Sequence, residues 1–88
     1  MLHVYGMKEC PHCRNAIKWL DDHKVPYVYL EVADQPEPIV KKLIEVNGGT
    51  DWVVPTFEFI GKWIPGEVFD PVKFEERLIL IGAYTNRR

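Results

Sequence analysis

Cys10 and Cys13 are the only cysteines of this 88-residue chain, and a proline and a histidine stand between them. That pair constrains the fold because of where it falls. "LHVY", residues 2 to 5, is rich in β-formers, and Gly6 to Glu9 reads as a turn. From Pro11 onward the apolar residues Cys13, Ala16, Ile17 and Leu20 recur at helical spacing. Pro11 suits the first helical position, where its missing N–H has no partner to lose. The spacing predicts a helix from about Pro11 to His23, stopped by Pro26. A bridge between Cys10 and Cys13 would close too small a loop to staple a fold, so the chain is not a disulfide-framed secreted miniprotein. A CxxC beside a strand–helix–strand pattern reads instead as a redox motif.

The rest of the chain supplies that pattern. "YVYLEV", residues 27 to 32, is predicted as a second strand, apolar enough to be central. With the first strand and helix it makes a βαβ unit with parallel strands. "ADQPEP" opens a second helix, with Asp34 as N-cap and Glu37 at the third position. Ile39, Val40, Leu43 and Ile44 are its buried face, and Gly48-Gly49 ends it. A strand from about Thr56 and a short turn at Gly61-Lys62 leading into "WI" predict an antiparallel hairpin. Asp70-Pro71 caps a last helix, with Phe74, Leu78 and Ile81 facing inward. The order is βαβαββα, an α/β domain over residues 1–84, followed by a basic tail at 85–88.

Composition narrows the function. The net charge is -2 and only the terminal "NRR" is locally basic, which argues against nucleic acid as a partner. No apolar run approaches the ~20 residues of a membrane span. Lys8 and Glu9 interrupt the first apolar stretch too early for a signal peptide. The expectation is a monomeric cytoplasmic protein.

The chemistry follows from the helix start. Cys10 just before Pro11 becomes the N-cap, so its sulfur meets the free N–H groups of the first turn and the positive end of the helix dipole. Both favour thiolate over thiol. Lys8 adds a cation from the turn, and His12 at the helix start can donate to, or pair with, the thiolate. Cys10 is the expected nucleophile. Cys13, one turn deeper, is the resolving thiol.

With these residues placed, the chain resembles a glutaredoxin over nearly its whole length. "KECPHC", "VVP", "FEFIGKWIPG" and the element order occur where that family has them, and "CPHC" is also the motif of a strongly oxidising member of the thioredoxin superfamily. The resemblance implies a thioredoxin-like glutaredoxin fold: a four-stranded mixed sheet flanked by three helices. It implies a cis Val54–Pro55 bond whose exposed Val54 backbone pairs with a substrate. It also implies a dithiol oxidoreductase that reduces protein disulfides or glutathione mixed disulfides at Cys10. Glutathione is then a co-substrate, with no permanently bound cofactor and no metal. Glutaredoxins usually follow strand four with Gly-Gly, a cysteine or small residue, and an aspartate for the γ-glutamyl end of glutathione. Here the stretch is "IPGEVFDP". Pro65 replaces the first glycine, Gly66 is kept, Glu67 replaces the small residue and Val68 the aspartate, leaving Glu67 as the candidate ammonium contact. Small redoxins that serve ribonucleotide reductase and are reduced by thioredoxin reductase carry Trp-x-Gly-Phe here. This chain has Trp63, Gly66 and Phe69 at looser spacing, so thioredoxin reductase is the alternative partner. A metal or iron–sulfur cluster carrier using the same cysteines is the alternative from a different class.

Overall fold

The computed structural model describes residues 1–85. Residues 86–88, most of the expected basic tail, lie outside them. The elements are β1 (Leu2–Gly6), α1 (Pro11–Asp22), β2 (Tyr27–Glu31), a 3₁₀ turn (Val32–Asp34), α2 (Glu37–Val46), β3 (Thr56–Phe59), β4 (Lys62–Ile64) and α3 (Pro71–Leu80). The four strands form one mixed sheet in the order β2-β1-β3-β4. β1 runs parallel to β2, from Leu2 opposite Tyr27 to Gly6 opposite Glu31, and antiparallel to β3. β3 and β4 make the antiparallel hairpin. This is the predicted fold.

Side chains alternate across β1 and feed two cores. Leu2 and Val4 join Ala16, Trp19 and Leu20 of α1, Phe57 and Ile64 of the hairpin, and Phe74 and Leu78 of α3. Tyr5, on the other face, joins Val32 and Leu43 of α2, with Trp52 and Trp63 packed around them. The Tyr5 and Trp63 rings stack at 6.0 Å. The sheet is thus covered by α1 and α3 on one face and α2 on the other.

Three local expectations are corrected. β2 is an edge strand, and β1 and β3 take the interior of the sheet. The apolar reading of "YVYLEV" rested on tyrosines whose hydroxyls work at the margin: Tyr27 donates to Asp21 and Tyr29 to Glu31. Asp34 does not cap α2. It ends the 3₁₀ turn, and α2 starts at Glu37 with Pro36 at the N-cap and no side-chain cap. A residue before proline is pushed out of the helical region, and Gln35 before Pro36 is extended (φ -84, ψ 145), which bars a helix beginning at Asp34. The hairpin turn falls on Ile60-Gly61 rather than Gly61-Lys62. Phe59 pairs with Lys62, and both turn residues have positive φ, 48° and 79°, as a two-residue hairpin of this hand requires.

Candidate active site

α1 begins as the sequence predicts. Cys10 is its N-cap, extended at φ -78 and ψ 116, and Pro11 occupies the first turn. The Cys13 N–H donates to Cys10 Sγ at 3.4 Å, so one free amide of the helix start already points at the sulfur. A weaker contact runs from Cys10 Sγ to the Val54 carbonyl at 3.9 Å, joining positions 44 apart in the chain. Cys10 is half-buried and Cys13 buried. Burial pushes the Cys13 thiol up to about 12, with Cys10 and Glu31 adding to the effect and a backbone hydrogen bond at Met7 opposing it. Gly6 backs this sulfur closely: a Cβ there would lie 3.0 Å from Cys13 Sγ and 3.1 Å from the Tyr29 ring.

Two loops flank the start of α1, one meeting Cys10 through Val54 and the other meeting His12 through Phe69. The first carries Val53, Val54 and Pro55, and its Val54–Pro55 bond is cis. Val53 is exposed and Pro55 buried. The second is the β4–α3 loop, residues 65–70. Gly66 lies so close to Val53 that a Cβ on it would meet the Val53 side chain at 2.5 Å, so only glycine lets the two loops touch here. Beneath them is a cavity of ≈ 20 Å³ bordered by Pro55, Val68, Phe69 and Phe74. That is room for a single water at most, so this cavity holds no substrate.

The structure brings Cys10, Cys13 and Val54 together and sets Gly66 against the neighbouring Val53, but it gives other predicted residues different surroundings. Lys8 is exposed in the turn and lines an open cleft of ≈ 460 Å³ between α1 and β2, where Cys13, Arg14 and Tyr29 are its neighbours. Among the described residues no hydrogen bond joins His12 to Cys10; His12 Nδ1 instead accepts the Phe69 N–H at 3.2 Å. The Glu67 carboxylate is engaged by Arg77, at 2.5 Å from Nε and 3.4 Å from Nη2. Val68 is 70% exposed.

Two residues that the sequence reading did not place in the site organise the walls. Asn47, the C-cap of α2, accepts the Gly66 N–H at 2.7 Å. It also donates to the Leu43 carbonyl at 2.8 Å and to Thr56 Oγ1 at 3.0 Å. Thr56, with no exposed surface, donates in turn to the Val53 carbonyl at 2.6 Å. A polar residue just before Gly48-Gly49 signals a helix end, but nothing local to it shows that its amide reaches both loops.

A mixed four-stranded sheet with a CxxC opening its first helix and a proline loop facing the first cysteine defines a thioredoxin-like redox protein. Residues 2–56 match the Glutaredoxin family model, and the chain belongs to the glutaredoxin family. It is 28% identical over 89 residues to the global transcriptional regulator Spx 1 of Lactococcus lactis, a match spanning 98% of this chain and 69% of that protein. It is 30% identical over 59 residues to the regulator Spx of Bacillus subtilis, across 64% of this chain and 45% of that one. The glutaredoxin-like protein NrdH of Lactococcus lactis is 35% identical over 47 residues, across 53% of this chain and 64% of its own. The match thus spans less than two thirds of the latter two relatives. Among solved structures, the glutaredoxin of Archaeoglobus fulgidus superposes with a TM-score of 0.68 at 20% identity, covering 88% of this chain and 84% of its own. A buckwheat glutaredoxin–glutathione complex gives 0.64 at 22% identity, covering 96% and 81%. These two share the fold.

Proposed function

We propose that the protein is a dithiol disulfide oxidoreductase acting on protein disulfides or glutathione mixed disulfides in the cytoplasm. The observation that carries this reading is the asymmetry of the pair: an accessible Cys10 sulfur with a helix-start amide donating to it, and a buried Cys13 behind it. Cys10 thiolate attacks one sulfur of a substrate disulfide, forming a mixed disulfide and releasing the other sulfur as a thiolate that takes up a proton. Cys13 then attacks Cys10 Sγ, forming the Cys10–Cys13 disulfide and expelling the second substrate thiol, which accepts the proton that Cys13 loses. Two electrons from two glutathione molecules, or from thioredoxin reductase, restore the dithiol. The Val54 backbone beside Cys10 orients the substrate chain. The Cys13 N–H at the helix start is placed to donate to the attacking sulfur.

The test is trapping. Cys13→Ser should accumulate one substrate molecule per chain as a mixed disulfide on Cys10, and Cys10→Ser should accumulate none. Supplying glutathione with glutathione reductase, or thioredoxin reductase alone, then identifies the donor by which one sustains turnover. The match to Spx 1 across nearly the whole chain favours a second reading, in which the dithiol reports redox state to a protein partner. A reporter reacts once per chain, whereas an oxidoreductase turns over many times. For the cluster-carrier alternative, no group of three or more His, Cys, Asp or Glu side chains comes together among the described residues. A carrier would need ligands from a second molecule, and the iron or zinc content of purified protein tests that directly.

A further inference from the structure

His12 and Phe69 are 57 positions apart, yet the Phe69 N–H points at His12 Nδ1 at 3.2 Å. A nitrogen that accepts a hydrogen bond carries no proton, so His12 is here a neutral imidazole with its hydrogen on Nε2. From this contact we infer that His12 is a positioning residue: as a neutral acceptor it fastens the β4–α3 loop to the CxxC helix and so sets the wall of the Cys10 site. This rests on the oxidoreductase reading for its consequence in substrate binding, but not for the contact itself.

The surroundings support the assignment. The loop has two inward-facing backbone donors near the site, Gly66 and Phe69, and each is met by a side-chain acceptor from a different helix. Asn47 of the α2 cap takes the first and His12 of α1 the second. Phe69 is further held by its ring, which packs edge-on against Phe74 of α3 at 5.7 Å. Between these fixed points lie only Glu67, tied to Arg77, and the exposed Val68. His12 itself is half-buried, so the tie is not dissolved in bulk solvent.

Adding a proton to Nδ1 would set two donors against each other and break the tie. Ionisable groups on the surrounding elements include Cys10, Cys13 and Arg14 at the start of α1, Glu67 and Asp70 in the loop, and Lys73, Glu75, Glu76 and Arg77 of α3. Glu67 is engaged by Arg77, and Asp70 accepts the Val72 and Lys73 N–H groups as the α3 cap.

The experiment compares wild type with His12→Phe, which keeps a ring but has no acceptor, and His12→Asn, whose amide oxygen can occupy the Nδ1 position. Amide exchange at Phe69, with Gly66 as internal reference, is read by NMR on the reduced protein. The Cys10 thiolate titration and the KM for a disulfide-bonded peptide are read beside it. The expected result is about threefold to tenfold faster exchange at Phe69 in His12→Phe, a similar rise in KM, and recovery of both in His12→Asn. The Cys10 titration midpoint should not move. Unchanged Phe69 exchange in His12→Phe overturns the inference, as does a shifted Cys10 midpoint with KM unaltered. If wild type turns over no disulfide, the oxidoreductase reading fails, and the amide readout still decides whether His12 anchors the loop.

Discussion

Cys10 is half-buried with an amide donor on its sulfur, whereas Cys13 lies one helical turn inward with its thiol raised by burial. A brief iodoacetamide pulse at neutral pH should place nearly all label on Cys10, checked by mass mapping; preferential label on Cys13 would reverse their roles. The pair was legible in the sequence because proline at the first helical position and a cysteine before it fix the cap locally. The surroundings of Glu67 and His12 were not, because each depends on a partner from a distant element, Arg77 for one and the Phe69 amide for the other. Val68 offers a sharper test. Its 70% exposure means that a carboxylate there would interact with a glutathione ammonium through water-screened charge. Exposed pairs contribute about 1 kcal/mol at most. Val68→Asp should accordingly speed glutathione reduction of a glutathionylated Cys13→Ser protein by about fivefold, not a hundredfold. Equal rates would mean that residue 68 does not meet the ligand.

At the level of elements, the starts of α1 and α3 were readable in the sequence, whereas the start of α2 and the place of β2 in the sheet were not. Asp70 caps α3 with two backbone hydrogen bonds, as its sequence context predicts. The N-cap of α2 was misplaced because the helix-barring effect of Pro36 on Gln35 outweighs the appeal of Asp34 as a cap. Strand order could not be read from apolarity, since Tyr27 and Tyr29 are apolar in composition but donate hydrogen bonds at an edge. The α2 C-terminus carries the element-level prediction. Asn47→Ala would leave the Gly66 N–H without its acceptor and remove the donor to buried Thr56 Oγ1. Leaving such groups unsatisfied costs about 1–3 kcal/mol. The urea midpoint should fall accordingly, and the KM for a disulfide peptide should rise because both walls of the site lose a tie. An unchanged KM in a folded Asn47→Ala protein would confine Asn47 to capping.

For the whole molecule, the buried thiol links redox state to alkaline stability. The folded value of Cys13 lies above its ordinary value of 9.0, so the native state holds that proton more tightly than the unfolded chain does. Its contribution to stability is complete below pH 9 and is lost as pH rises toward 12. Tyr5, Tyr27 and Tyr29, each raised mainly by burial, act in the same direction. Reduced wild type should therefore lose more stability between pH 9 and pH 11 than Cys13→Ser, which keeps the tyrosines and lacks the thiol. Parallel urea midpoints for the two proteins across that range would show that Cys13 titrates as an ordinary cysteine.

The walls of the site have a consequence for the order in which the protein becomes competent. Cys10 acquires its helix-start amide from residue 13, but its neighbour Val54 is 44 positions away and the His12–Phe69 tie spans 57. Contacts so distant in sequence close late, after the intervening loop entropy has been overcome. A chain still emerging from the ribosome would thus present the Cys10 sulfur with no surface to select what it meets. Partner choice would begin only once both loops have closed on the helix start.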